Sequence, residues 1–449
     1  MLELPESYLN RMKEMLGDEY QALRECYEQP HGRGVRINTL KMPASRVHEL
    51  GMELERVPFS PVGFRLLSDD KAGASVFHHA GAFYSQEPSA MSAVTALDPQ
   101  EGEYILDMCA APGGKSTQIA AALNGTGCLW CNEFVRSRAN VLISNIERCG
   151  IKNAIVSSMR PDALAAKTGA VFDRVLVDAP CSGEGMFRKE EAAVRDWSEV
   201  NVKMCAVRQS EILDSAAKCL KPGGVLVYST CTFSPEENER NIAAFLQRHE
   251  EFILEPIEAQ FGRNGMDISD KYDLTLTCRV YPMDGGDGHF VARMRKSGTL
   301  SQNTPNRIYI KETPQIKLVK DIWEQCMKTE MRGTSAVFGD YGYLLPEDVP
   351  AVSLDGVIRA GLMVCQFKNG RAEPAHALFM AAKKEEVKRC VDLAPDDKAL
   401  AAFLHGEEIE AQCENGFAAV CCAGIVTGFG KVSNGRLKNR YPKGLRTLY

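Results

Sequence analysis

The stretch from Tyr104 to Ser116, reading Y-I-L-D-M-C-A-A-P-G-G-K-S, constrains this chain more than any other. Tyr104-Ile105-Leu106 reads as a short apolar strand that delivers a carboxylate, Asp107. A loop of small residues, Cys109-Ala110-Ala111-Pro112, follows and closes on Gly113-Gly114. Lys115-Ser116 and the run Thr117-Gln118-Ile119-Ala120-Ala121 then read as the start of a helix. Strand, glycine-rich turn and helix N-terminus make a cradle for a nucleotide-like ligand. Glycine lets the backbone approach closely, and the helix start offers free N–H donors.

Two ligand classes compete for this loop. Gly114-Lys115-Ser116 resembles the end of a phosphate-binding G-x-x-x-x-G-K-[ST] loop, but its first glycine would fall on Cys109. That counts against a nucleoside triphosphate, because the missing glycine shapes the anion nest. The alternative is a doubly wound sheet holding S-adenosylmethionine across the end of its first strand. Such a site needs an acid after the second strand. Gly127-Cys128-Leu129-Trp130-Cys131 reads as that strand and ends at Asn132-Glu133. A carboxylate there can accept both ribose hydroxyls, so loop and Glu133 together favour the methyl donor.

A chain of 449 residues with 45% apolar composition can bury several cores, and about two or three domains are expected. The net charge of −6 excludes a globally basic nucleic-acid binder, so any RNA contact must come from local patches. There is no apolar run of about 18 residues, and Met1-Leu2-Glu3-Leu4-Pro5-Glu6 lacks a signal-peptide pattern. A cytoplasmic protein with no membrane partner is expected, and a monomer. Of 16 cysteines, Cys128 and Cys131 make the C-x-x-C, but no second pair at zinc spacing accompanies them. Strand filling explains them, and no metal is expected.

Residues 1–95 read as a small α/β unit. Pro5 to Tyr27 has helical apolar spacing, and Gly34 to Lys41 alternates as a strand whose Arg36, Asn38 and Lys41 form either a nucleic-acid-facing row or a solvated face. Residues 96–297 alternate strand and helix, which implies a parallel sheet. Arg136 to Arg148 is a basic amphipathic helix. Ile155-Val156-Ser157 is a strand followed by Asp162, and Phe172 to Val177 is a buried strand ending in Asp178-Ala179-Pro180-Cys181-Ser182-Gly183. A helix from Asn201 to Leu220 stops at Lys221-Pro222-Gly223-Gly224. Val225 to Tyr228 then delivers Ser229-Thr230-Cys231-Thr232, and Phe290 to Met294 reads as a closing edge strand. Residues 298–330 read as a linker. Residues 331–449 turn to short strands and glycine turns. The last nineteen residues, from Lys431, carry six bases and no acid, with Tyr441 interleaved, a candidate surface for phosphates and stacked bases.

Ligands of such sheets bind outside the carboxyl ends of the parallel strands. Asp107, Glu133, Asp162, Asp178, Cys181 and Cys231 all fall there. Two cysteines beside a methyl donor suggest methylation at a poorly nucleophilic carbon. Carbon 5 of a pyrimidine becomes nucleophilic when a thiolate adds to carbon 6, and an acid near nitrogen 3, such as Asp178, stabilises the developing charge.

The residues resemble a family closely. Asp107 to Ser116, Asp178 to Gly185, Leu220 to Gly224, Tyr228 to Thr232, Glu236-Glu237-Asn238-Glu239, Arg279-Val280-Tyr281-Pro282 and Gly288-His289-Phe290 are together similar to the motifs of the Sun-type RNA 5-methylcytosine methyltransferases. Length and the C-terminal motifs, Lys368 to His376 and Tyr441 to Arg446, are most similar to the branch acting on bacterial small-subunit ribosomal RNA. The resemblance implies a Rossmann-like α/β sheet, a small N-terminal α/β domain and a C-terminal β-rich, PUA-like RNA-binding domain. It also implies ribosomal RNA or the small ribosomal subunit as partner. It implies S-adenosylmethionine contacts from Asp107, Cys109, Ala110, Ala111, Pro112, Gly113, Gly114, Lys115, Glu133, Arg138, Asp162 and Asp178. Cys231 would be the nucleophile, Cys181 would assist product release, and Asp178 would also lie near the base.

Two other readings stay open. In a DNA cytosine-5 methyltransferase, Pro180-Cys181 would carry the nucleophile; Ser182-Gly183, Cys231 and the basic tail favour RNA. A binding-only ribosome-assembly factor would keep the fold without turnover, but would have no need for both thiols.

Overall fold

The computed structural model describes residues 4–68, 71–257, 261–302, 312–347, 349–350 and 352–446. Part of the linker expected at 298–330 and the last three residues of the basic tail therefore lie outside the described residues. Among those described, the strands form four sheets, of four, ten, four and five strands.

The ten-stranded sheet positions the site. At its centre are five parallel strands in the order Leu220–Thr230, Phe172–Asp178, Tyr104–Asp107, Cys128–Asn132 and Ala154–Ser157. Connections leave Tyr104–Asp107 toward one edge, and the chain returns on its other side through Phe172–Asp178. The loops after these two strands therefore diverge and open a crevice at the switch point. These strands are apolar on both faces because helices cover both. Gly114–Leu123 and Arg136–Arg148 pack Ile119, Leu142 and Ile146 on one side. Pro161–Thr168, Glu199–Cys219 and Glu239–Arg248 pack Leu164, Ile212, Leu213, Ile242 and Phe245 on the other. Cys128 and Cys131 point into these opposite cores, so they cannot share an ion.

The expected closing strand, His289–Lys296, does pair antiparallel with Leu220–Thr230, but it is not an edge. Cys278–Val280 and then Arg263–Asn264 continue the sheet beyond it, and Phe252–Glu255 pairs with its C-terminal half. Two short strands separated by a loop carry too weak an alternation to be seen in sequence. At the far edge, Val357–Ala360 from the C-terminal region pairs antiparallel with Ala154–Ser157, which covers the open edge of the parallel sheet.

The N-terminal region holds helices Glu6–Leu16 and Tyr20–Tyr27 and an antiparallel sheet ordered Leu54–Arg56, Gly63–Leu66, Gly34–Ile37, Phe83–Ser85. Here one expectation is overturned. Arg36 and Asn38 face no solvent: they are 2% and 4% exposed. Arg36 donates to Gly114 O at 2.6 Å and Thr117 Oγ1 at 2.6 Å, and Asn38 donates to Gly81 O and Cys149 O. Lys41 donates to Met380 O and Val426 O of the C-terminal region. The polar row is an interdomain seam, because buried polar groups persist only where hydrogen bonds replace water.

Residues 314–326 are not linker as expected: Pro314–Cys326 is a helix whose Val319, Ile322 and Cys326 pack on a sheet of Ser335–Phe338, Tyr341–Leu344, Leu362–Lys368 and Arg371–Pro374. A final sheet orders Cys390–Leu393, Gly416–Cys422, Ile425–Ser433, Arg436–Asn439 and Ile409–Glu410. Its core is shared with the N-terminal sheet: Val35, Ile37, Phe64 and Phe83 join Phe403, Val420, Ile425 and Leu437. Tyr441 belongs to this core, not to a base-stacking surface. It is 3% exposed, packs edge-on against His376, and its hydroxyl lies 3.2 Å from His79 Nδ1. Truncating so large a buried ring leaves a cavity, so Tyr441→Ala should destabilise the protein by about 3–5 kcal/mol. A urea midpoint unchanged from wild type would place the ring outside the core.

Candidate active site

The crevice gathers three loops. The first follows Tyr104–Asp107. Ser116 Oγ donates to Asp107 Oδ2 at 2.6 Å, so the carboxylate anchors the turn to its own helix. Burial pushes the Asp107 carboxyl up to about 7 against that bond. Gly113 has φ +113°, which glycine alone adopts cheaply, and caps the helix so that its first N–H groups face the crevice.

Glu133 comes from the end of the second strand and is 4% exposed. It accepts from Val135 N at 2.9 Å and pairs with Arg138 at 3.3 Å, while Arg138 also donates to Ala111 O at 2.9 Å. Arg138 thus fastens the acid to the glycine-rich loop. Asp162 lies in the first turn of Pro161–Thr168, where its side chain is 63% exposed and pairs with Arg160 at 3.1 Å.

The second loop begins at Asp178. Lys115 Nζ lies 2.8 Å from Asp178 Oδ2, Ser229 Oγ donates to Oδ1 at 2.8 Å, and His289 Nε2 lies 3.9 Å from Oδ1. Burial alone pushes this carboxyl up. Lys115, His289 and the bonds from Lys115 and Ser229 outweigh it, so the pKa sits below the ordinary carboxylate value. His289 itself is buried, and burial with Lys115 nearby pushes its pKa down to about 3, leaving a neutral ring beside an ionised acid. His289 was visible in sequence only as a motif letter. Its place beside Asp178 comes from the antiparallel register that sets Phe290 opposite Thr230.

The third loop carries Cys231. Its Sγ lies 3.3 Å from Cys181 Sγ, though the residues are 50 apart in the chain. Both are partly accessible, unlike most of the other cysteines. The sulfur–sulfur contact, with burial second, raises the pKa of Cys181. The adjacency follows from the parallel pairing of Phe172–Asp178 with Leu220–Thr230, which ends both strands at one level. The remaining motifs brace these loops. Arg279 grips Glu239 and donates to Phe233 O at 2.9 Å; Tyr281 stacks on Phe233 at 5.2 Å. A Cβ at Gly288 would lie 2.4 Å from the Phe233 ring, and its φ is +137°, so glycine is required there.

Strand order, glycine-capped loop and acid at the second strand end together define a Rossmann-like methyltransferase fold. Family comparison agrees. Residues 94–295 match the 16S rRNA methyltransferase RsmB/F family, and residues 4–88 the N-terminal domain of 16S rRNA methyltransferase RsmF. Residues 322–381 match the RsmF rRNA methyltransferase first C-terminal domain, and residues 390–447 the methyltransferase RsmF PUA domain. The ribosomal RNA small subunit methyltransferase F of Vibrio vulnificus (strain YJ016) is 31% identical, covering 98% of this chain and 97% of that one. The namesake from Cronobacter sakazakii is 37% identical over 66% of this chain and 64% of that one. A methyltransferase homologue from Pyrococcus horikoshii, known by crystal structure, is 29% identical with a TM-score of 0.59, covering 66% of this chain and 96% of that one. The chain belongs to the RsmB/F family of 16S rRNA methyltransferases.

The Asp178 pKa tests the geometry of the crevice. Its depression stabilises the fold above the unfolded-chain value of about 3.9, a contribution lost as pH falls through the lower folded value. In Lys115→Met the chief opposing charge is gone, so the Asp178 pKa should rise and this acid-side loss of stability should shrink. Carbon-13 NMR titration of the carboxyl would show it; an unmoved pKa would separate Lys115 from Asp178 in solution.

Proposed function

We propose that this protein methylates carbon 5 of cytosine in small-subunit (16S) ribosomal RNA, with S-adenosylmethionine as donor and a covalent cysteine adduct on the pathway. The observation that carries the reading is the pair of thiols, 3.3 Å apart, beside an acid held ionised by Lys115. The small-subunit substrate follows from what the full-length relatives are named for.

The residues fit the donor. S-adenosylmethionine supplies a methyl group made electrophilic by its sulfonium. The helix start behind Gly113 offers N–H donors, and Glu133 offers carboxylate oxygens for the ribose hydroxyls. Asp107, Cys109 to Gly114, Lys115, Arg138, Asp162 and Asp178 complete the proposed contact set.

A base must leave its stack to enter the crevice. The Cys231 thiolate then adds to carbon 6, which breaks the 5,6 double bond and leaves carbon 5 nucleophilic. Nitrogen 3 takes up a proton as negative charge appears there, and the ionised Asp178 holds that N–H by accepting its hydrogen bond. After methyl transfer, a base takes the carbon-5 proton and the Cys231 sulfur is expelled, restoring the double bond. Cys181, in contact with Cys231, assists that expulsion.

The two thiols are separable. Cys231→Ala can form no adduct and should be inactive, whereas Cys181→Ala should still add and methylate, then stall with RNA attached. A denaturing gel should show a protein–RNA adduct for Cys181→Ala alone. The reverse pattern would move the nucleophile to Cys181, as in the DNA-type enzymes, and adducts in neither with activity intact in both would remove the covalent route.

RNA is expected on the exposed bases of the last sheet. Deleting the tail would remove the strand Arg436–Asn439, so charge neutralisation is the cleaner probe. Lys431 and Lys438 pair across neighbouring strands and are both exposed. The double variant Lys431→Gln, Lys438→Gln should bind RNA more weakly, with a salt slope shallower by about 1.5, the expected loss of two phosphate contacts. An unaltered slope in filter binding would mean that this face does not touch RNA.

A further inference from the structure

The acidic motif Glu236-Glu237-Asn238-Glu239 has so far only braced the site through Glu239. Its second member does something more specific. Glu237 is fully buried with no cationic partner among the described residues. It accepts from Ser182 N at 3.0 Å, from Ser182 Oγ through a short bond, and from Gln209 Nε2 at 2.7 Å. Ser182 directly follows Cys181, and Gln209 also donates to Pro180 O at 3.1 Å, so both neighbours of that cysteine are tied to one carboxylate.

The chain of donors continues to the other thiol. Ser182 spends its single hydroxyl proton on Glu237, so the 2.9 Å contact between Ser182 Oγ and Thr232 Oγ1 must take its proton from Thr232. Thr232 directly follows Cys231. Asn238 meanwhile accepts from Thr230 Oγ1 at 2.7 Å and donates to Thr232 O at 2.9 Å, clamping both flanks of Cys231. Glu237 therefore sets the direction of the Ser182–Thr232 bond, which joins the two cysteine loops beside the bond from Phe233 N to Glu184 Oε2 at 3.0 Å. Burial pushes its carboxyl up to about 7 against the bonds from Ser182 and Gln209, and Glu184 pushes the same way as burial. A buried carboxylate with only neutral donors is a costly way to fill space, since an apolar residue would pack there without the desolvation penalty.

We infer that Glu237 is a positioning residue that, through Ser182 and Thr232, holds Cys181 and Cys231 together as one preorganised pair. The inference rests on the proposed two-thiol chemistry for its purpose, but not for its test. Fixed proximity raises the effective concentration of one thiol at the other, and that can be read without any methylation.

The full-length protein would be treated with diamide, a diazene oxidant that takes up two hydrogens as two thiols join in one S–S bond. Formation of the Cys181–Cys231 disulfide would be timed by mass spectrometry after alkylation. Wild type should close it readily. Glu237→Gln, which keeps the shape but removes the charge that orients the donors, should close it at least tenfold more slowly. Thr232→Val, which cuts the Ser182 link and leaves the carboxylate in place, should do the same. Affinity for S-adenosylmethionine by calorimetry should stay within twofold in both, which a general loosening of the fold would not allow. Disulfide formation at the wild-type rate in both variants would show that the backbone alone sets the spacing and would overturn the inference. A wild type that forms no such disulfide would overturn the pairing itself. Slow closure in the variants with no cytosine methylation by any form would leave the positioning role standing and remove only the proposed reaction. If Glu237→Gln does not fold, Thr232→Val decides by itself.

Discussion

The ion pair between Lys115 and Asp178 joins the two halves of the crevice. Lys115 comes from the helix that follows the first parallel strand, and Asp178 ends the neighbouring strand, about sixty positions on in the chain. Asp178 lies at the mouth of the site, where burial disfavours its charge, and Lys115 keeps it ionised despite that. The same contact holds the glycine-rich loop against the loop that carries Cys181. Without it, a carboxylate and an ammonium would each face the crevice uncompensated, which is costly in a partly desolvated site.

The outer domains are attached by the same logic of satisfied polar groups. Arg36 reaches from the N-terminal sheet to Gly114 O and Thr117 Oγ1, so the mouth of the glycine-rich loop is held from outside the central domain. Lys41 ties that sheet to Met380 and Val426, and a common apolar core joins it to the last sheet. Val357–Ala360 closes the edge of the central sheet. The N- and C-terminal regions are thus one packed body around the catalytic sheet. Their relative placement is set by many buried contacts, and no tether alone has to fix it.

Much of the site was legible before the structure. Asp107, Glu133, Asp178, Cys181 and Cys231 each stand at the end of an apolar run, and a strand end is a local property that periodicity reports. Burial of polar residues was not legible. Arg36 and Asn38 alternate like a solvated face, and nothing in the alternation says that another domain will cover it. Tyr441 sits among bases like a stacking residue, yet His376 and Phe403, distant in sequence, enclose it. His289 and Glu237 were motif letters until the packing showed what each faces.

By itself, the sequence determined the units of this protein: strands that end in an acid or a thiol, a glycine turn that opens a helix, and a chemistry suited to methyl transfer. Those are consequences of local backbone sterics and of side-chain type, which neighbours in the chain settle. Which strand ends meet was decided only by the tertiary structure. Two thiols 50 residues apart touch because parallel pairing brings Asp178 level with Ser229, and the acid beside them is charged because a lysine from a third element reaches it. Such contacts depend on the order in which strands pair. That order is a property of the whole core, since burying both faces of the sheet is favourable only when all its layers are in place.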